Sequence, residues 1–139
     1  MEGDRQVPEG IYGIESLNPN SLYHLSLRLN YPNEFDKRMA LQDGRQNLGS
    51  DIMIHGSNMS IGCLALGDDV AEELFVLAAR VGIKNVRIII TPVDFREQRE
   101  FPVVQLDVTW TEMLYRQIAA AMNELRKPGK ELTTADGRR

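Results

Sequence analysis

Residues 52–63 read IMIHGSNMSIGC and hold the only cysteine of the chain, Cys63, with one of its two histidines, His55. An apolar run typical of a β-strand leads into His55, and a loop rich in glycine, serine and asparagine follows it. A thiol and an imidazole delivered together by a strand end and a loop are the minimal parts of a cysteine nucleophile and its base. The alternative is structural, because a single free cysteine is often a small buried hydrophobic residue.

The composition is that of an ordinary globular domain, with 42% hydrophobic and 26% charged residues in a chain of 139. The net charge of −4 provides no global basic field, so we expect no nucleic-acid partner. One cysteine excludes an internal disulfide and a cysteine-cluster metal site. The first residues lack the basic and apolar regions of a signal peptide, and no stretch is long enough to be a transmembrane segment.

Apolar periodicity and turn residues predict strands over 11–14, 22–31, 51–55 and 85–91, with a turn at 18–21. In 22–31 alternate residues are apolar, which is the pattern of a half-buried strand. His24 falls on the polar face of that strand, where we expect its ring to be solvated or to line a groove. The nearly continuous apolar run of 86–91 predicts a central, well-covered strand.

Helical spacing predicts three helices, around 35–41, 68–81 and 111–126. The first lies in a polar segment, 34–50, which is either a surface connection or a flap beside the site. For the second, an aspartate at 68 or 69 is the expected N-cap and Gly82 the expected stop. Its expected core-facing side comprises Val70, Leu74, Leu77, Ala78 and Val81. Thr111 is the expected cap of the third helix.

Several ordered motifs resemble the L,D-transpeptidase (YkuD-like) catalytic domain family, in its murein transpeptidase branch. His55-Gly56 followed by Ser60-x-Gly62-Cys63 is similar to the signature of that family. Residues 3–12, GDRQVPEGIY, look like the family's turn ahead of a strand. The YPN triplet at 31–33 and the aspartate at 36 resemble the same branch. The resemblance covers residues 3 to about 95.

The resemblance implies a mainly β, α+β fold, a β-sandwich or barrel catalytic domain with flanking helices. We expect this domain over 1–110, a C-terminal amphipathic helix over 111–127 and a disordered tail over 128–139. Family domains begin with several strands ahead of the PEG turn, and usually with a secretion signal. We therefore expect that the chain is a fragment or a truncated form lacking these N-terminal strands, or that other elements replace them.

The implied activity is that of a cysteine-dependent peptidoglycan L,D-transpeptidase, acting on stem tetrapeptides through an acyl-enzyme on Cys63. The acceptor would be a diaminopimelate amine, a lysine of a murein-linked lipoprotein, or water, and no metal or organic cofactor is implied. The implied location is periplasmic or extracytoplasmic. Three alternatives stay open: an L,D-carboxypeptidase, an amidase that releases murein-linked lipoprotein, and an inactive cell-wall-binding module.

In the family mechanism Cys63 is the nucleophile, and His55 takes the thiol proton and then protonates the leaving amine. Gly56 and Gly62 would let the backbone approach the substrate closely, and the N–H groups of Gly62 and Cys63 would be the oxyanion donors. Ser60 would orient His55, contact the substrate, or only stabilise its loop. The chain departs from the commoner family pattern in having isoleucine at 61 instead of histidine and alanine at 65 instead of arginine.

Overall fold

The computed structural model describes residues 7–22, 24–58, 62–97, 101 and 110–125. In these ranges five strands form one sheet, accompanied by three α-helices, so the α+β class is confirmed. The elements are β1 (Gly10–Ser21), β2 (His24–Leu29), α1 (Glu34–Gln42), β3 (Met53–His55), β4 (Leu64–Ala65), α2 (Asp68–Val81), a 3₁₀ turn (Ile83–Asn85), β5 (Arg87–Ile90) and α3 (Thr111–Asn123). The predicted tail at 128–139 lies outside the described residues.

The sheet has the strand order β4-β3-β2-β1-β5, antiparallel throughout except for the parallel pair β3–β4. The turn predicted at 18–21 is wrong, because β1 continues to Ser21 and pairs there with His24. A register shift between Asn18 and Ser21 interrupts the ladder around Pro19, which has no N–H to donate. The irregularity lets the strand continue through a sequence that is otherwise typical of a turn.

The prediction that β5 is central is also wrong for the part of the sheet that the structure describes. There β5 lies at one end of the strand order, where it pairs with β1. Its apolar run has a different cause, because both of its faces are covered. Ile88 and Ile90 pack against one hydrophobic cluster, and Ile89 packs against another on the opposite face.

The first cluster lies between the sheet and α2. Its buried members are Tyr12, Ile14, Leu27, Leu29, Ile54 and Ala78. The helix over 68–81 is confirmed, but its core-facing side is only partly the predicted one: Ala71 and Ala78 are fully buried, whereas Val70 and Leu77 are at least half exposed. The fully buried positions of α2 carry small side chains, and Leu74 packs against the first cluster beside Ala78.

The second cluster lies on the opposite face of the sheet, beneath α3. Its buried members are Phe95, Leu114, Tyr115, Ile118 and Met122, with Ile11 and Ile89 of the sheet packed against them. The amphipathic pattern of α3 therefore packs against this sheet. Thr111 is the first residue of the helix and not its cap, since Trp110 occupies the N-cap position without a side-chain hydrogen bond.

The PEG and YPN segments meet where β1 contacts the start of α1. Asn33 caps α1 through its side-chain oxygen, and its amide nitrogen donates to the carbonyl of Ile11 at 3.1 Å. The Tyr12 hydroxyl lies 3.4 Å from Asp36 Oδ1, and a Cβ at Gly10 would lie only 2.7 Å from that hydroxyl oxygen. These motif residues thus join the first strand to the first helix.

Candidate active site

The pairing of β3 with β4 determines where His55 and Cys63 lie. Ile54 is the register partner of Leu64, and both contact the first cluster, so their sequence neighbours face the other side of the sheet. Cys63 lies in the bend that immediately precedes β4. The pairing of β3 with β4 thus brings the strand that ends in His55 beside the strand that begins directly after Cys63.

Ser26 lies directly opposite His55 on the neighbouring strand, and each residue is 3% exposed. Backbone hydrogen bonds join Gly56 to Leu25 and Leu29 to Ile52. Because hydrogen-bonded and non-hydrogen-bonded pairs alternate along an antiparallel ladder, Ser26 and His55 form a non-hydrogen-bonded pair. Side chains are closest together at such positions. Sequence patterns did not point to Ser26, because its position opposite His55 depends on how β2 pairs with β3.

The imidazole of His55 is oriented by the next residue. Its Nδ1 lies 2.5 Å from the carbonyl oxygen of Gly56. Because a carbonyl oxygen can only accept, Nδ1 must be the donor, and in the neutral ring Nε2 then carries the lone pair. This is the tautomer that a general base acting through Nε2 requires. Gly56 is itself held in the sheet, since its N–H donates to the carbonyl of Leu25 at 3.2 Å.

Cys63 is half-buried, and its Sγ lies 3.9 Å from the carbonyl oxygen of Asp51 as a weak donor. Gly62, which precedes it, has φ of 95°, in the region that favours glycine. This conformation turns the chain into β4 immediately after the loop. Ser60, the remaining predicted site residue, lies outside the described residues, and the substrate-binding roles of Gly56 and Gly62 stay predictions.

The other histidine is used differently. His24 Nε2 lies 2.6 Å from Glu72 Oε1, so the ring pairs the start of β2 with α2 while its side chain stays 43% exposed. Ala65, by contrast, is the register partner of His55. The position that carries arginine in many family members therefore lies beside the imidazole, and in this chain it carries a methyl group.

One ion-pair cluster lies near the thiol. Arg28, on β2, pairs with Glu15 at 3.0 Å and with Asp51 at 2.8 Å, and Asp51 also provides the carbonyl that contacts Cys63. The guanidinium is thus balanced by two carboxylates. Within the described ranges, no group of three His, Cys, Asp or Glu side chains is arranged to hold a metal ion. None of the helices in those ranges is long and apolar enough to cross a membrane.

Comparison with known proteins gives a partial relationship. The chain is 33% identical over 76 residues to the protein named "Putative L,D-transpeptidase YafK" of Escherichia coli strain K12, and the match is the same for the O157:H7 protein. It is similar to an L,D-transpeptidase over about half its length. The match covers 53% of this chain and 28% of the relative, so the chain spans less than a third of the curated relatives it matches.

No family model matches the chain. The solved structure of Bd1075 from Bdellovibrio bacteriovorus is 30% identical and covers 65% of this chain and 35% of that one, with a TM-score of 0.46.

Proposed function

We propose that this chain carries the nucleophile and the base of a cysteine-dependent L,D-transpeptidase that acts on peptidoglycan stem tetrapeptides. The observation that supports this most is the parallel pairing of β3 with β4, because β3 ends in His55 and Cys63 immediately precedes β4. The partial similarity to the relative named "Putative L,D-transpeptidase YafK" supports a peptidoglycan-related activity. Because the substrate is cell-wall material, the proposed location is extracytoplasmic.

In the proposed reaction Nε2 of His55 takes the thiol proton as Sγ of Cys63 attacks the carbonyl carbon that precedes the terminal D-residue. The resulting oxyanion is stabilised by the backbone N–H groups of Gly62 and Cys63. The imidazolium then protonates the leaving amine of the D-residue, and a thioester remains on Cys63. An acceptor amine attacks this thioester, forms the new amide and restores the thiol.

Intact-protein mass spectrometry with a stem tetrapeptide tests the proposal directly. We expect a mass increase equal to the acyl group of the tripeptide on the wild-type chain, and none on Cys63→Ala. Since Cys63 is the only cysteine, the variant removes every competing thiol. Binding of the tetrapeptide without acylation would contradict the proposal and favour a cell-wall-binding module.

Product analysis then identifies the acceptor. Transfer to an added diaminopimelate-containing peptide gives a new amide, whereas transfer to water gives a free tripeptide. A reaction that yields only free tripeptide in the presence of excess acceptor would replace transpeptidation by carboxypeptidase activity. Release of lipoprotein from murein would instead favour the amidase.

A further inference from the structure

The peptide group between Gly56 and Ser57 is held at both of its ends. Its carbonyl oxygen accepts the hydrogen bond from His55 Nδ1, at 2.5 Å. Its N–H donates to Asp68 Oδ1 of α2, at 2.7 Å. A single peptide plane therefore lies between the imidazole and a carboxylate.

Two backbone hydrogen bonds also join this loop to the segment that leads into α2. The Gly67 N–H donates to the Ser57 carbonyl at 3.3 Å, and the Leu66 N–H donates to the His55 carbonyl at 3.1 Å. The predicted N-cap, an aspartate at 68 or 69, is wrong, because Gly67 occupies that position. The carboxylate of Asp68 thus bonds the loop that follows His55 instead of a free N–H of its own helix.

We infer that Asp68 is a positioning residue for His55 and acts through the Gly56–Ser57 peptide. A peptide bond is planar, so anchoring its N–H fixes the direction in which its carbonyl oxygen points. A carboxylate on the N–H also polarises the peptide and makes the oxygen a stronger acceptor, as in other hydrogen-bonded chains. The imidazole is then held with its proton on Nδ1. The arrangement does by relay what a directly bonded carboxylate does for the histidine of a serine-protease triad.

The positive φ of 64° at Ser57 supports this assignment. A non-glycine residue is uncommon in that region and persists where the surroundings hold it. The short bond to Asp68 and the bond from Gly67 both act on Ser57. Without the carboxylate, the Gly56–Ser57 peptide is expected to rotate away from the imidazole.

The test is NMR of the His55 ring, because it needs no turnover. A strong Nδ1–H bond appears as a downfield ring proton, assigned to His55 by its persistence in His24→Ala. We expect this proton to move upfield in Asp68→Asn, which keeps an acceptor oxygen but loses the charge. It should stay in place in the matched control Asp69→Asn, which removes the same charge one residue along the same helical turn. Asp68→Glu, which keeps the charge, should retain most of the downfield shift.

The rate of Cys63 acylation gives the functional readout, which rests on the proposed function. We expect a decrease of about tenfold in Asp68→Asn and wild-type rates in Asp69→Asn. A ring proton that is unmoved in Asp68→Asn, or moved equally in Asp69→Asn, would overturn the role of Asp68. The two proposals are tested by different readouts. If the wild-type chain forms no acyl-enzyme but the ring proton moves as expected, the proposed function is contradicted and the positioning role of Asp68 is supported.

Discussion

Ser26 and His55 face each other across the β2–β3 ladder, and each of these polar residues is 3% exposed. The next pair along the ladder, Leu27 and Ile54, belongs to the first cluster. Because successive residues of a strand face opposite sides of the sheet, Ser26 and His55 lie on the face opposite that cluster. The imidazole is therefore confined by its strand neighbour as well as by the Gly56 carbonyl. Enclosure of this kind restricts the orientations that the ring can adopt.

A larger side chain at Ser26 should disturb His55. We expect Ser26→Leu to lower the free energy of unfolding by about 1–3 kcal/mol, because the position is already filled, and to slow acylation of Cys63. Ser16→Leu makes the same change at an exposed position of β1 and should alter stability by no more than about 0.5 kcal/mol. Urea unfolding and acylation kinetics measure the two effects. Equal behaviour of the two variants would contradict the confinement of His55.

The two histidines provide a matched pair for testing the base. His55→Ala should slow acylation of Cys63 by about 10²–10⁴-fold, the usual contribution of a positioned general base. His24→Ala should acylate at the wild-type rate and lose at most about 1 kcal/mol of stability, because its pair with Glu72 is exposed. Mass spectrometry at short reaction times gives both rates. A similar loss in the two variants would argue against a specific role for His55.

Asp36 should make stability depend on pH. Burial raises the pKa of its carboxyl group above the ordinary value, against the opposing effects of the Asn33 N–H and the Tyr12 hydroxyl. The folded state therefore holds this proton more tightly than the unfolded state does. The stabilisation is fully present below the ordinary pKa of about 3.9 and is lost as pH rises through the raised value.

Asp36→Asn is uncharged at every pH and lacks this dependence. We expect the unfolding free energy of the wild type to fall, relative to that of the variant, as the pH rises from about 3 to 7. Urea titrations at several pH values measure the difference. A difference that stayed constant, or that changed in favour of the wild type, would contradict the assignment.

Leu27 tests the first cluster. This residue of β2 is fully buried in the cluster that the sheet forms with α2. Leu27→Ala should therefore lower the unfolding free energy by about 2–5 kcal/mol, through lost burial and the cavity left behind. Leu22→Ala removes the same atoms from a side chain that is 97% exposed, and should change stability by no more than about 0.5 kcal/mol. Thermal or urea unfolding of both variants is the measurement. Comparable losses would mean that Leu27 is not the core residue its burial indicates.

Much of the local structure follows from residues that are neighbours in the chain. The alternation around Leu27 and Leu29 and the apolar period of α3 each predict an element that the structure contains. The candidate site belongs to the same group, since His55 at a strand end and Cys63 after a glycine are local features. Residue-to-residue spacing encodes such features because helix and strand periods are local properties of the backbone.

The sequence by itself therefore determined the α+β class, most of the elements and the choice of His55 and Cys63 as candidates. Tertiary structure alone decided that β5 lies at the end of the described sheet, which side of α2 enters the core, and that Ser26 lies opposite His55. It also decided that Asp68 bonds the Ser57 N–H instead of capping α2. Each of these depends on packing or hydrogen bonds between segments distant in sequence, and no local period or turn signal reports on such contacts.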